Sequence, residues 1–173
     1  TRTLLPQSLT TTDPETPVTV RDAFRQLEAE VPADDPLGVH RILPDNVLRR
    51  VQAIPVGGNR RDLPEHLQLE CHKKLAKEKK SGASGSYGRL RWDQPAPTMT
   101  TRCTTPACGP FLHPEEHRPI TLREAAAIQT FPPDYKFVGT RGAVERQIGN
   151  AVPVRMAARI AGALLDSLEG RAA

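Results

Sequence analysis

Two helix-start signals and a proline pair, all between Arg118 and Leu168, constrain this chain more than anything else in it. Thr121 and Glu124 stand three apart, the spacing at which a threonine hydroxyl and a glutamate carboxylate each cap the other's backbone amide. That predicts a helix beginning at Leu122. Ala125, Ile128 and Gln129 extend it, and Pro132-Pro133 ends it, because proline has no amide to donate and crowds the preceding turn. After a short loop, Gln147-Ile-Gly-Asn-Ala-Val-Pro153 reads as a second start, with Asn150 as N-cap and Pro153 in the first turn. In the helix that follows, Ala157, Ile160, Ala161, Leu164, Leu165 and Leu168 recur at intervals of three and four, so one stripe of it is built to be covered.

The upstream chain is more irregular. Thr1 to Pro17 is rich in threonine and proline without periodicity, which marks a connector. Thr19 and Asp22 can cap a helix that turns Ala23, Phe24 and Leu27 inward and stops before Pro32. A second helix from Asp45 places Leu48, Val51 and Ile54 on one face with Arg49 and Arg50 outward, and Gly57-Gly58 breaks it. A third is expected from Pro64-Glu65, presenting Leu67, Cys71 and Leu75 and ending in lysines at 73, 74, 77, 79 and 80. Lysines in the last turns suit the helix dipole without any ligand. Ser81 to Ser86 is a linker by composition. Beyond it the pattern becomes extended: Tyr87, Arg89 and Arg91 alternate with Leu90 and Trp92, and Thr98 to Cys103 forms a second β-branched, polar run.

Composition narrows the function classes. The chain is 38% hydrophobic but only 4% aromatic and carries 17 prolines, so its core is thin and its loops are many. A formal net charge of +4 suits a polyanionic partner. Three unclustered cysteines make no disulfide framework and no Cys-x2-Cys metal site, and no apolar run reaches the roughly 18 residues of a membrane span.

Arg118-Pro-Ile-Thr-Leu-Arg-Glu-Ala-Ala-Ala-Ile-Gln-Thr-Phe-Pro-Pro-Asp-Tyr135 followed by Gln147-Ile-Gly-Asn-Ala-Val-Pro153 resembles the last two conserved motifs of the DNA (cytosine-5)-methyltransferases. Tyr87-Gly-Arg, Trp92 and the Thr98-Met-Thr-Thr101 run are similar to the recognition region of its Dcm-like members. The family's glycine-rich cofactor loop, its Pro-Cys nucleophile and its Glu-Asn-Val segment have no counterpart here. Cys71, Cys103 and Cys108 follow Glu70, Arg102 and Ala107.

The resemblance therefore implies the target-recognition and carboxy-terminal part of such an enzyme, inactive alone. Its fold is expected to be α+β, a small domain of helices and short antiparallel strands. The terminal helix would pack on an absent Rossmann-like α/β catalytic domain. The expected organisation is a connector over 1–17, a recognition domain over 18–138, and a motif and helix of the catalytic domain over 139–173. Duplex DNA and the catalytic half are the implied partners, S-adenosylmethionine the implied cofactor, and cytoplasmic, nucleoid-associated residence the implied setting, without a membrane.

Arg89, Arg91, Thr98, Thr100, Thr101 and Arg102 are the candidate DNA contacts, since guanidinium and hydroxyl groups bind phosphates and base edges. Asn150, Ala151 and Val152 are the candidate cofactor-binding residues, a lip whose glycine-led helix start would offer exposed amides to a carboxylate. No catalytic residue and no metal ligand is expected. Arg118, Thr121, Arg123, Glu124 and Gln129 are read as architecture, and Arg60, Arg61 and the lysine run as solvated surface. Left uncovered, the terminal helix would favour self-association. The alternatives are a separate subunit of a split enzyme, or a non-catalytic DNA-binding module.

Overall fold

The computed structural model describes residues 17–32, 34–77 and 85–169. The connector at 1–16, the lysines at 79 and 80 and most of the glycine-serine linker lie outside the described residues. Six helices follow in order: α1 Val20–Glu30, α2 Asp45–Ala53, α3 Glu70–Lys77, α4 Leu122–Ile128, α5 Arg141–Asn150 and α6 Val154–Leu168.

Local chemistry sets most of these boundaries. Both expected capping boxes form: Thr19 accepts from the Asp22 amide while the Asp22 carboxylate accepts from Thr19, and Thr121 and Glu124 do the same for α4. α2 lacks a side-chain cap and starts after Pro44, and it buries Val51 and ends at the buried Ile54. The third helix is shorter than expected. Pro64 leads into a single 3-10 turn over Glu65–Leu67, and α3 proper starts at Glu70, leaving Cys71 exposed. Arg50 is half-buried and not outward, because its Nε donates to the Leu67 carbonyl at 3.0 Å across the α2–α3 corner.

The extended segments do not build strands among the described residues. Arg89 and Leu112 form an isolated parallel bridge and Leu112 and Pro119 an antiparallel one, with no ladder beyond them. Residues 98–100 pair with no strand, and 101–104 turn. The physical reason lies in side chains: Pro95, Pro97, Pro106 and Pro110 remove amide donors that a ladder would need.

Two apolar clusters hold the fold. In the first, Val20 and Phe24 of α1 meet Leu122, Ala125 and Ala126 of α4, with Leu90, Met99, Cys103, Phe111 and Ile120 from the loops. Ala125 and Ala126, small side chains of α4 in this cluster, let α1 approach closely. Val144 and Ile148 of α5 are buried in the same cluster. In the second, Val51, Ile54 and Leu63 enclose Tyr87 and Leu112. At about 25 cal/mol per Å² of apolar area, each fully buried aliphatic side chain contributes about 1.5–3 kcal/mol, so the first cluster carries most of the cohesion.

Arg89 ties the second cluster to the 113–117 loop. It is 5% exposed, and all five of its N–H donors are engaged: Nε with the Ile54 carbonyl, Nη2 with the Val51 carbonyl and His117 Nδ1, and Nη1 with the His113 and Glu116 carbonyls, at 2.6–3.0 Å. Two of these acceptors are carbonyls at the end of α2, where a positive charge is favoured by the helix dipole.

The stretch from Arg118 to Tyr135 is held as an ion-paired frame. Arg118 grips Glu124 through both carboxylate oxygens at 2.8 Å and Glu116 at 2.9 and 3.0 Å. Burial opposes the Arg118 charge, but the hydrogen bonds to Glu124 and Glu116 outweigh it and raise its pKa. Arg123 reaches across to Asp35 at 2.6 Å and to the Tyr135 carbonyl at 3.3 Å. Burial alone would raise the Asp35 pKa, but the hydrogen bonds from Arg123 and the Leu37 amide together with the Arg123 charge lower it on balance. These residues act as the architecture that their sequence spacing implied.

Candidate functional site

Gly149 is where the two sets of candidate residues meet. A β-carbon placed there would lie 2.4 Å from the Thr100 carbonyl oxygen and 2.5 Å from Thr100 C and Thr101 Cα. Only a residue without a side chain lets the 100–101 main chain rest on α5 at that distance. Four residues earlier on the same helix, the buried Glu145 carboxylate accepts from both the Thr104 amide at 2.7 Å and the Thr104 hydroxyl at 2.6 Å. The 100–104 loop is thus fixed to α5 at two successive turns. Cys103 between them is fully buried, and burial followed by the neighbouring Glu145 charge pushes its thiol up to about 12, so it is an inert packing group rather than a nucleophile.

Gln129 fixes the other side. Its Nε2 donates to the Ile148 carbonyl at 2.8 Å and to the Ala151 carbonyl at 3.0 Å. Its own carbonyl accepts from the Val154 amide, and the Thr130 hydroxyl accepts from the Arg155 amide at 3.1 Å. One corner of the 118–135 frame therefore clamps the end of α5, the turn at 151–153 and the start of α6.

This geometry corrects the reading of the lip. Asn150 is not an N-cap: it is the last residue of α5, and Pro153 occupies the N-cap position of α6. The first amides of α6 are already used by Gln129 and Thr130. The lip consequently lies at the carbonyl end of a helix, where the dipole favours hydrogen-bond donors over a carboxylate. Asn150 is exposed, and among the described residues its carboxamide makes no hydrogen bond; Ala151 is half-buried and Val152 is 56% exposed. A free carboxamide, a small side chain and an accessible isopropyl group therefore share one open edge.

The candidate DNA contacts divide. Thr98, Thr100 and Arg102 are exposed and Thr101 is half-buried, so four of them share the surface of the loop seated on α5, while Met99 between them points into the core. Arg91 is exposed but lies elsewhere, with its Nη2 donating to the Gly57 carbonyl at 3.0 Å. Arg89 is excluded, since every donor it has is spent inside the molecule. Alternation in a presumed strand put Arg89 on the face of Arg91; burial of Leu90 and Arg89 together shows that no such two-faced strand exists here. Glu145 and its Thr104 partner, 41 positions away, had no signal in the sequence that pairs them.

The terminal helix carries the stripe its periodicity announced, and nothing among the described residues covers it. No residue of α6 is buried, and Leu164, Leu165 and Leu168 are 40%, 54% and 76% exposed. Among the described residues, no group of histidine, cysteine or acidic side chains is arranged to hold a metal, and no helix is long and apolar enough to cross a membrane.

The family described as C-5 cytosine-specific DNA methylase matches residues 18–166. A type II methylase, M.HgiDII of Herpetosiphon aurantiacus, is 42% identical over 165 residues, covering 91% of this chain and 46% of that protein. The type II methyltransferase M.Eco47II of Escherichia coli is 36% identical over 158 residues, 88% of this chain and 36% of that protein. DNA (cytosine-5)-methyltransferase 3 of Arabidopsis thaliana is 32% identical over 180 residues, 89% of this chain and 13% of that protein. The chain thus spans less than half the length of these relatives.

Proposed function

Because the chain belongs to the C-5 cytosine-specific DNA methylase family, we propose that it is the sequence-reading and pocket-closing part of a DNA (cytosine-5)-methyltransferase. It acts on duplex DNA together with a catalytic half that provides the bond-making residues. The observation that carries this reading is the seating of the Thr100–Thr101 main chain on Gly149, which sets a loop of exposed threonines and Arg102 against the helix that ends in the open Asn150–Val152 lip.

In this reading Thr98, Thr100, Thr101 and Arg102 face the duplex, where guanidinium and hydroxyl groups bind phosphate oxygens and base edges. Asn150, Ala151 and Val152 border the cofactor; S-adenosylmethionine, when bound, supplies the methyl group that goes to C5 of a cytosine taken out of the base stack. Gln129 and the α4 frame keep the lip in place, and Glu145 keeps the reading loop in place. The exposed leucines of α6 lie against a Rossmann-like α/β body, completing an α+β enzyme.

The test mixes the full chain with a separately produced catalytic half and follows transfer of a labelled methyl group to plasmid DNA, with bisulfite mapping of the product. Methylation that appears only in the mixture, at one short sequence, is the expected result. Tight duplex binding by the chain with no methyl transfer in any mixture would instead make it a non-catalytic DNA-binding module.

A further inference from the structure

The reading loop has neighbours that its own sequence does not reveal. Arg41, from the segment between α1 and α2, donates through Nη1 to the Thr105 hydroxyl at 3.0 Å. Arg141, the first residue of α5, donates through Nη1 to the Val39 carbonyl at 2.9 Å, two residues from Arg41. Its charge is also felt at Cys103, inside the loop. Two guanidinium groups, 100 positions apart in the chain, are therefore drawn to the 100–105 loop through one strap at 39–41.

Their electrical setting differs from that of the ion-paired arginines. Arg21, Arg118 and Arg123 each contact an aspartate or glutamate. Arg41, Arg102 and Arg141 are exposed and, among the described residues, touch no carboxylate. Glu145, the acid that seats this loop, is buried and spent on Thr104. Arg41 and Arg141 each use one Nη on a neutral acceptor, which fixes the direction of the head group and leaves its remaining donors for a ligand. Fixed, unneutralised guanidinium groups gathered beside exposed hydroxyls suit the anionic backbone of a nucleic acid rather than a base edge.

We propose that Arg41 and Arg141 bind backbone phosphates of the duplex beside the Thr98–Arg102 loop, setting its register without reading sequence. This rests on the assignment of that loop to DNA. Phosphate contacts do not depend on base sequence, so the target need not be known. The full chain is titrated with a fluorescein-labelled 24-base-pair duplex of arbitrary sequence in KCl from 50 to 200 mM. Arg41→Gln and Arg141→Gln are compared with wild type, with Arg102→Gln in the loop, and with Arg25→Gln on α1 as a control for net charge.

Each lost phosphate contact removes about 0.9 from the slope of log K against log salt, so each variant should shed about a 3.5-fold part of the affinity lost over this fourfold salt range. Arg25→Gln should keep the wild-type slope. If Arg102→Gln flattens the slope while Arg41→Gln and Arg141→Gln do not, the flanking contacts are disproved and the reading loop stands. If Arg25→Gln flattens it equally, the effect is general charge and the flanking contacts are likewise disproved. A wild-type chain that binds no duplex at any salt would overturn both assignments together.

Discussion

Replacing Arg89 with lysine separates an interior guanidinium from one that meets DNA. The wild-type side chain delivers five hydrogen bonds, at 2.6–3.0 Å, to four backbone carbonyls and to His117 Nδ1. Lysine keeps the positive charge but has three donors on one nitrogen, so at least two acceptors lose their partner. A buried acceptor left unmatched costs about 1–3 kcal/mol. The two together cost about 3 kcal/mol, a large share of the roughly 5–15 kcal/mol that holds a domain together. For a chain of this size each kcal/mol lowers Tm by about 2–4 °C, so Arg89→Lys should melt about 6–12 °C below wild type. Arg89→Met, which removes all five donors, should be worse. Thermal melting followed by circular dichroism reads the first quantity, and duplex binding at a temperature where the variant is folded reads the second. If Arg89→Lys melts within about 1 °C of wild type while losing duplex affinity, Arg89 faces DNA and the account of its burial is wrong.

Further outcomes follow from the same geometry. Gly149→Ala must push the Thr100–Thr101 main chain off α5 and should cost about 1–3 kcal/mol, whereas Gly162→Ala on α6, with open space around it, should leave Tm unchanged or raise it slightly. His113 is buried, accepts the Glu115 and Glu116 amides at Nδ1, and has its pKa lowered first by burial and then by Arg118. The folded state therefore disfavours the imidazolium. Stability is complete above the ordinary value of 6.5 and falls as acid titrates the unfolded chain below it. Melting from pH 7.5 to 5 should show that decline, and His113→Gln should flatten it. With iodoacetamide at pH 8, mass spectrometry should find Cys71 alkylated and Cys103 untouched until guanidinium is added, because one is exposed and the other is a buried thiol held near 12. Early alkylation of Cys103 would contradict the closed loop.

What was legible in the sequence was local. The Thr19–Asp22 and Thr121–Glu124 spacings located the starts of α1 and α4, because a capping box is a contract between residues three apart. The 3–4 periodicity after Pro153 located α6 and marked the stripe that no other described residue buries. Illegible parts depended on long-range pairs. α5 was hidden because Arg141–Asn150 has little amphipathic pattern: it buries Val144, Glu145 and Ile148, one of them charged. Glu145 is inside only because Thr104 meets it, and nothing near Glu145 announces that. Arg89 shows the same limit from the other side, for alternation alone cannot tell a solvated arginine from one whose acceptors arrive from two distant segments. Asn150 was placed at a helix start through a residue preference that does not distinguish the end of one helix from the beginning of the next when only a three-residue turn lies between.

The close seating of Thr100 on Gly149 also bears on interchange of parts between relatives. A loop grafted at 100–104 from a relative arrives with its own main-chain path, and here that path has no slack: it must pass over a residue lacking a side chain and offer a hydroxyl at the position of Thr104 for Glu145. A donor loop that keeps both features should move as a cassette, while one that keeps the exposed threonines and arginine alone should drag the end of α5, and the Asn150–Val152 turn with it, out of place.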